Sequence, residues 1–160
     1  MAIPGKLAKH LNERKIPYRT SCHPEAFTAM QSAQAAHVPP SMFAKSVLVN
    51  ADGKLCMVVL PATERVDMPR LRKFLEARKT RLAAEAEFAP LFQDCDIGAM
   101  PIFGSLYGIP VLLCEELAGQ PEIAFTAGTH RDIVRMRVGD YIRAESPRIY
   151  DQRPALAGAS

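Results

Sequence analysis

Two runs rich in aliphatic and β-branched residues, Ser46-Val47-Leu48-Val49-Asn50 and Leu55-Cys56-Met57-Val58-Val59-Leu60, flank the segment Ala51-Asp52-Gly53-Lys54. Asp-Gly at that point supplies the positive backbone angles a tight turn requires, so a β-hairpin is the strongest local expectation. Both faces of the second run are apolar, which places the pair in the middle of a sheet with material packed on each side. The remaining chain must supply that material. At 160 residues and 17.6 kDa it is long enough for one domain and too short for two full-sized ones. A chain of this length buries ~70% of its unfolded surface without help from metals or disulfides, and the 48% hydrophobic content furnishes the core.

The elements around the hairpin follow from spacing and punctuation. Leu7, Leu11 and Ile16 after Pro4 predict a helix over about residues 4–14, ended by Pro17. Tyr18 to Cys22 is a short candidate strand. Thr28 offers an N-cap for a helix over residues 29–36, stopped by Pro39-Pro40. Asp67 followed by Met68, Leu71, Phe74 and Leu75 marks another helix, and a short one is expected within residues 83–92. Residues 94–110 carry no usable periodicity. A glycine- and proline-punctuated stretch of that length in a compact domain is more often functional than idle. Residues 111–113, 122–125 and 133–136 read as strands. The expected fold is mixed α/β, α+β-like: a single domain over residues 1–150 with a central antiparallel-rich sheet flanked by helices, then a disordered tail at 151–160.

Composition excludes several classes. Thirteen prolines and nine glycines are close to the average of folded proteins, which removes collagen-like and low-complexity readings. The longest nearly uncharged stretch, residues 95–114, is broken by Gly98, Pro101, Gly104, Gly108 and Pro110 and cannot be a membrane helix. The first residues lack the apolar core of a signal peptide, so a cytoplasmic protein is expected. Cys22, Cys56, Cys95 and Cys114 lie far apart without a C-x-x-C pair and are expected to be reduced thiols. Net charge is only +3, but Arg65, Arg70, Arg72, Lys73, Arg78, Lys79 and Arg81 stand against Asp67 and Glu76 alone in residues 65–81. Such a run can face a polyanion or simply solvate the outside of a helix.

Familiar catalytic motifs fail. His23-Pro24-Glu25 matches half of a zinc-deaminase signature, without the P-C-x-x-C half. Gly104-Ser105-Leu106-Tyr107-Gly108 has its serine directly after the glycine, so it is not a nucleophile elbow. Neither G-x-x-x-x-G-K-[ST] nor G-x-G-x-x-G occurs, and His10, His23, His37 and His130 have no metal-ligand spacing, so no metal or cofactor is expected.

What survives is an ordered series: His23-Pro24 before Phe27-Thr28-Ala29, Val38-Pro39-Pro40, Ala44-Lys45 opening a strand, residues 98–104, and Thr126-Ala127-Gly128-Thr129-His130-Arg131. In order and spacing this resembles the YbaK/prolyl-tRNA synthetase-associated editing family, which includes free-standing aminoacyl-tRNA deacylases. The resemblance spans about residues 7–143. It implies that Lys45, at the start of a central strand, carries the catalytic role. Read alone, that lysine could equally mark where a buried strand begins. The family's pocket loop of form G-x-x-x-P-x-G is matched by Gly98-Ala99-Met100-Pro101-Ile102-Phe103-Gly104, with Ile102 at the proline position and Pro101 one residue early. Substrate-binding residues implied are Thr28, Gly98, Ala99, Gly104, Gly128 and His130. Thr28 also reads as a helix cap, and His130 as an ordinary surface or core histidine.

The implied activity is hydrolysis of the ester of a tRNA mischarged with a small amino acid. An aminoacyl ester is already activated and the neighbouring ribose hydroxyl can orient water, so the protein need only hold the 3′ end, size the side chain and stabilise the developing oxyanion. The implied partners are the 3′ end of an aminoacyl-tRNA and an aminoacyl-tRNA synthetase, with neither membrane nor DNA. The alternative is a non-catalytic module of the same fold that binds a tRNA end or a synthetase. A third reading is a small-molecule hydrolase or a plain α/β domain with a basic surface.

Overall fold

The protein's structure, a computed structural model, describes residues 3–151. Helix α1 (Gly5–Glu13) buries Leu7 and Leu11 as the spacing predicts, together with Ala8, while Ile16 of the expected stripe falls beyond its end. Strand β1 (Tyr18–Cys22) follows, then α2 (Ala29–Ala35), capped where Thr28 Oγ1 accepts the Gln31 N–H at 3.1 Å. Pro40–Met42 form a 3₁₀ turn leading into the hairpin of β2 (Ala44–Ala51) and β3 (Lys54–Pro61). Its two-residue turn has φ of 52° at Asp52 and 87° at Gly53, the geometry for which Asp-Gly is selected. Helix α3 (Met68–Leu75) starts at Asp67, whose carboxylate accepts the Arg70 N–H. Short elements β4 (Thr80–Leu82) and α4 (Glu85–Phe88) lead to the long loop. The chain then builds β5 (Val111–Cys114), α5 (Glu115–Ala118), β6 (Glu122–Thr126), β7 (Asp132–Arg137), α6 (Val138–Glu145) and β8 (Arg148–Tyr150).

The strands divide between two sheets. Five lie in the order β4-β2-β3-β5-β8, with β3, β5 and β8 successively parallel and the pairs around β2 antiparallel. Three lie in the antiparallel order β1-β7-β6. A single parallel bridge between Phe43 and Ala124 joins them at the point where β2 begins. As the sequence predicts, the hairpin is central and buried on both faces: Leu48, Met57 and Val59 pack into the main core with Leu7, Leu11 and Phe125. Val49, Val58 and Leu60 pack on the other side against Leu71 and Tyr150.

The elements β4, α5, α6 and β8 were not expected from sequence. Strand β4 has one apolar residue in a basic run; it is held as an edge by the register of Val49 opposite Leu82 and by the hairpin turn. There the Asp52 carboxylate accepts the N–H groups of Arg78 and Lys79, which holds its pKa below the usual range. Helix α6 hides its signal behind charged residues, although Tyr141 is fully buried with its hydroxyl donating to the Ile102 carbonyl. The tail expected at 151–160 lies, beyond Asp151, outside the described residues. None of Cys22, Cys56, Cys95 and Cys114 is in a disulfide among the described residues, and burial pushes the Cys56 thiol up to about 11.

Helix α6 also fixes the long loop. The Ser105 N–H and hydroxyl both donate to Glu145, at 3.1 and 2.8 Å, and burial pushes the Glu145 carboxyl from its ordinary 4.5 to about 7. A carboxyl pKa raised by folding contributes stability that is complete below about pH 4.5 and lost as pH rises through about 7. Across that window this group should cost on the order of 3 kcal/mol. Glu145→Gln keeps the neutral shape and should remove that part of the slope, measured by denaturant melts from pH 5 to 8. An unchanged slope would assign it to other groups.

Candidate active site

Where the two sheets meet, the start of β2, the N-terminus of α2 and the long loop enclose a cavity of about 160 Å³. Thr28 and Ser32 of the α2 segment, Lys45 and Ser46 of β2, Gly98 of the loop and His130 after β6 line it. The walls therefore come from distant parts of the chain, and the Phe43–Ala124 bridge holds them together.

Lys45 pairs with Leu60 in the β2–β3 ladder and is half-buried. Its Nζ makes a long contact of 3.5 Å with the Ala62 carbonyl, a weak tether for an ammonium group. Burial lowers the Lys45 pKa, the nearby Arg65 charge lowers it further, and Glu64 partly opposes this. Lys45 also borders a second concavity of about 310 Å³, shared with Arg65, Val66 and Met68. Lys45 thus lines two hollows.

The loop is held from the β6–β7 side. The Gly128 N–H donates to the Ala99 carbonyl at 2.8 Å and the Gly128 carbonyl accepts the Asp96 N–H at 2.7 Å. His130 Nε2 lies 3.0 Å from the Ile97 carbonyl, and since a carbonyl only accepts, Nε2 carries a proton. These bonds bring Gly98 against the imidazole. The φ of +90° at Gly98 favours glycine, and an added Cβ would sit 3.2 Å from His130 Cε1, close enough to press on the ring. Ser46 Oγ fastens the next turn by donating to the Met100 carbonyl at 3.1 Å.

Of the residues singled out in the sequence, Lys45, Thr28, Gly98 and His130 meet at the cavity. Ala99 and Gly128 stand behind its wall as the hydrogen-bonded clamp of the loop. Gly104 is not on the wall: it packs against the start of β5, where an added Cβ would meet the Ile109 carbonyl oxygen at 2.5 Å and Val111 Cγ2 at 2.8 Å. Ile102, the departure from the family loop, is fully buried in the main core. Thr28 both caps its helix and lines the cavity. Sequence reasoning missed Ser32, Ser46 and Phe27 as wall residues. Ser32 is nearly fully buried in an alanine-rich helix, and a lone hydroxyl on that face was the available signal. Among the described residues no group of three His, Cys, Asp or Glu is placed to hold a metal.

The cavity thus joins hydroxyl and small apolar walls to a half-buried lysine and a glycine loop braced by a histidine. The model of the aminoacyl-tRNA editing domain matches residues 23–144, and the chain belongs to that family. Two solved structures share the fold. One, described as a candidate trans-editing enzyme for prolyl-tRNA synthetase, is 22% identical with a TM-score of 0.80, over 91% of this chain and 93% of that one. The other, a hypothetical protein, is 18% identical with a TM-score of 0.82, over 91% and 97% of the two chains. No curated protein matches the chain significantly.

Gly104→Ala should therefore act on packing rather than on the pocket. We expect a loss of about 1–3 kcal/mol, typical of overpacking, in a denaturant melt. An unchanged midpoint would show that the loop and β5 separate without cost.

Proposed function

We propose that this editing domain is a trans-editing aminoacyl-tRNA deacylase that hydrolyses the ester of a tRNA mischarged with a small amino acid. The observation that carries the reading is the convergence of Lys45, Gly98 and His130 on one cavity of about 160 Å³ in a chain of this family. A cavity of that size suits an amino-acid side chain and little more, because sites enclosing drug-sized ligands begin at ~300 Å³. Thr28, Ser32 and Ser46 put hydroxyl groups on its wall.

The ester would lie at the mouth. Lys45, shared by the two hollows, holds the terminal phosphate or ribose as a point charge. Gly98, without a Cβ, lets the backbone come close to the ester, while its N–H is held by Met100 Sδ, 3.2 Å away. The vicinal ribose hydroxyl orients the attacking water, so no protein nucleophile is needed and the reading calls on no cofactor. Partners are the 3′ end of the aminoacyl-tRNA and, through it, a synthetase whose errors are corrected. Among the described residues no helix is long and apolar enough to cross a membrane, and the proposed compartment is the cytoplasm.

The test is deacylation of a panel of tRNAs charged with small amino acids. The wild-type protein should release at least one amino acid, and Lys45→Ala should lose most of the rate while its melting curve is retained. Normal hydrolysis by the variant would remove Lys45 from the mechanism. Binding without turnover in the wild type would leave a non-catalytic module of this fold.

Because the folded environment lowers the Lys45 pKa, the ammonium is lost as pH rises, before an ordinary lysine would titrate. KM for the charged tRNA should climb on that alkaline side. Lys45→Arg keeps its charge and should abolish the climb even where its different geometry slows the reaction. A pH-independent KM in the wild type would show that the charge is not used.

The basic segment gives a separate expectation. Its Arg65 borders the hollow next to Lys45, while Arg72 and Lys73 lie in the last turn of α3. With a net charge of +3, the footprint on the tRNA is small. Affinity should fall with salt with a slope equivalent to about two to four phosphates. Reversing Arg72 and Lys73 to Glu should weaken tRNA binding and spare hydrolysis of an aminoacyl-adenosine. No loss on either substrate would leave these residues as a solvated helix face.

A further inference from the structure

The lining of the cavity is chemically mixed. Lys45 belongs to it and shares the neighbouring hollow with Arg65. Phe27 also lines the cavity, yet is 67% exposed. A phenylalanine gains nothing from that exposure, and its position is not slack. Its backbone N–H donates to Gln31 Oε1 at 3.3 Å, and the neighbouring Ala26 N–H donates to the His130 carbonyl at 3.4 Å. One side of its ring packs on the His130 imidazole, with centroids 4.9 Å apart and planes at 51°. His130 is in turn tied to the Ile97 carbonyl. The ring is thus backed and aimed, with the rest of its surface open to solvent.

Unpaired nucleobases are recognised by stacking on such rings, whereas phosphates seek cations. An aminoacyl group inside a cavity of about 160 Å³ leaves no room there for the nucleoside attached to it. The terminal base must lie outside the cavity, and of the phenylalanines that line it Phe27 is the one exposed to solvent while Phe43 is buried. We propose that Phe27, backed by His130, is the platform on which the 3′-terminal base of the acceptor strand stacks. The identity of that strand rests on the deacylase reading; the platform itself rests on the ring.

The experiment is a double cycle on full-length protein with an RNA acceptor-stem hairpin ending in CCA, against the same RNA with an abasic 3′-terminal residue. Phe27→Leu keeps an apolar wall and removes the aromatic face, and Phe27→Trp keeps the face. Stacking of one base changes affinity on the order of 5- to 150-fold. The wild type and Phe27→Trp should lose roughly tenfold in affinity when the base is removed. Phe27→Leu should bind the intact RNA roughly tenfold more weakly and lose little more with the abasic RNA, since ring and base are then one interaction. A 2-aminopurine at the terminal position should be quenched by the wild type and by Phe27→Trp and remain bright with Phe27→Leu.

Independent, additive losses, or a Phe27→Leu protein that binds and quenches like the wild type, would overturn the platform. The additive outcome is also the one expected if the ring served a protein partner. Deacylation by the wild type, run alongside, separates the two readings. Hydrolysis with additive losses sinks the platform alone, and a coupled cycle without hydrolysis of any charged tRNA sinks the deacylase reading alone.

Discussion

The register of Ala44–Ala51 against Lys54–Pro61 is the constraint on which the rest of the molecule depends. Side chains alternate along a strand, so a slip of one residue would send Leu48 and Met57 to the wrong core and turn Lys45 to the opposite face. The two-residue Asp52-Gly53 turn pins that register at one end. At the other end the chain leaves the ladder at Pro61 and returns the Ala62 N–H to the Phe43 carbonyl, closing the strand beside the cavity. With apolar packing on both faces, neither strand can shift without loss on both sides at once.

The cavity is a by-product of how the second sheet meets the first. Phe43 bridges to Ala124, and the segment after β6 then folds back as a tight loop in which Thr129 Oγ1 accepts the Asp132 N–H at 3.1 Å and Arg131 donates likewise. That loop carries both Gly128, which clamps residues 96–99, and His130, which supports Gly98 and Phe27. One short segment therefore positions the wall and the rim of the pocket, while the opposite side is fixed by the hairpin. A rigid mount of this kind suits chemistry in which the protein contributes placement more than reactive groups.

The sequence made the hairpin, α1, α2, α3 and the inner strands legible because each carries its own local signal: a turn dipeptide, a cap, or a buried stripe. The division into two sheets was not legible, because it depends on β1 pairing with β7 across nearly the whole chain. Elements such as β4 and β8 are short edges held by partners, and three residues each are too few to carry a strand pattern of their own. At the site, Lys45, Gly98 and His130 were recognised through an order of motifs, and the structure explains why no single piece sufficed: each is ordinary until the others stand beside it. Gly104 belonged to the same motif but answers to packing against β5, since a backbone too close for a Cβ looks the same in sequence whether it borders a substrate or a strand. Phe27 was quoted in the motif and passed over, because exposure cannot be read from a residue's type.

The long-range pairing of β1 with β7 has a consequence for synthesis. Tyr18 finds Met136 only after most of the protein has been made, and contacts of that separation form late and slowly compared with a local hairpin. The hairpin of β2 and β3 can close soon after it leaves the ribosome, but His130 and the loop clamp belong to the last third of the chain. Lys45 is thus in its strand long before the pocket around it exists. The half-made chain presents its basic segment without the cavity, whose last walls arrive only with the closing strand.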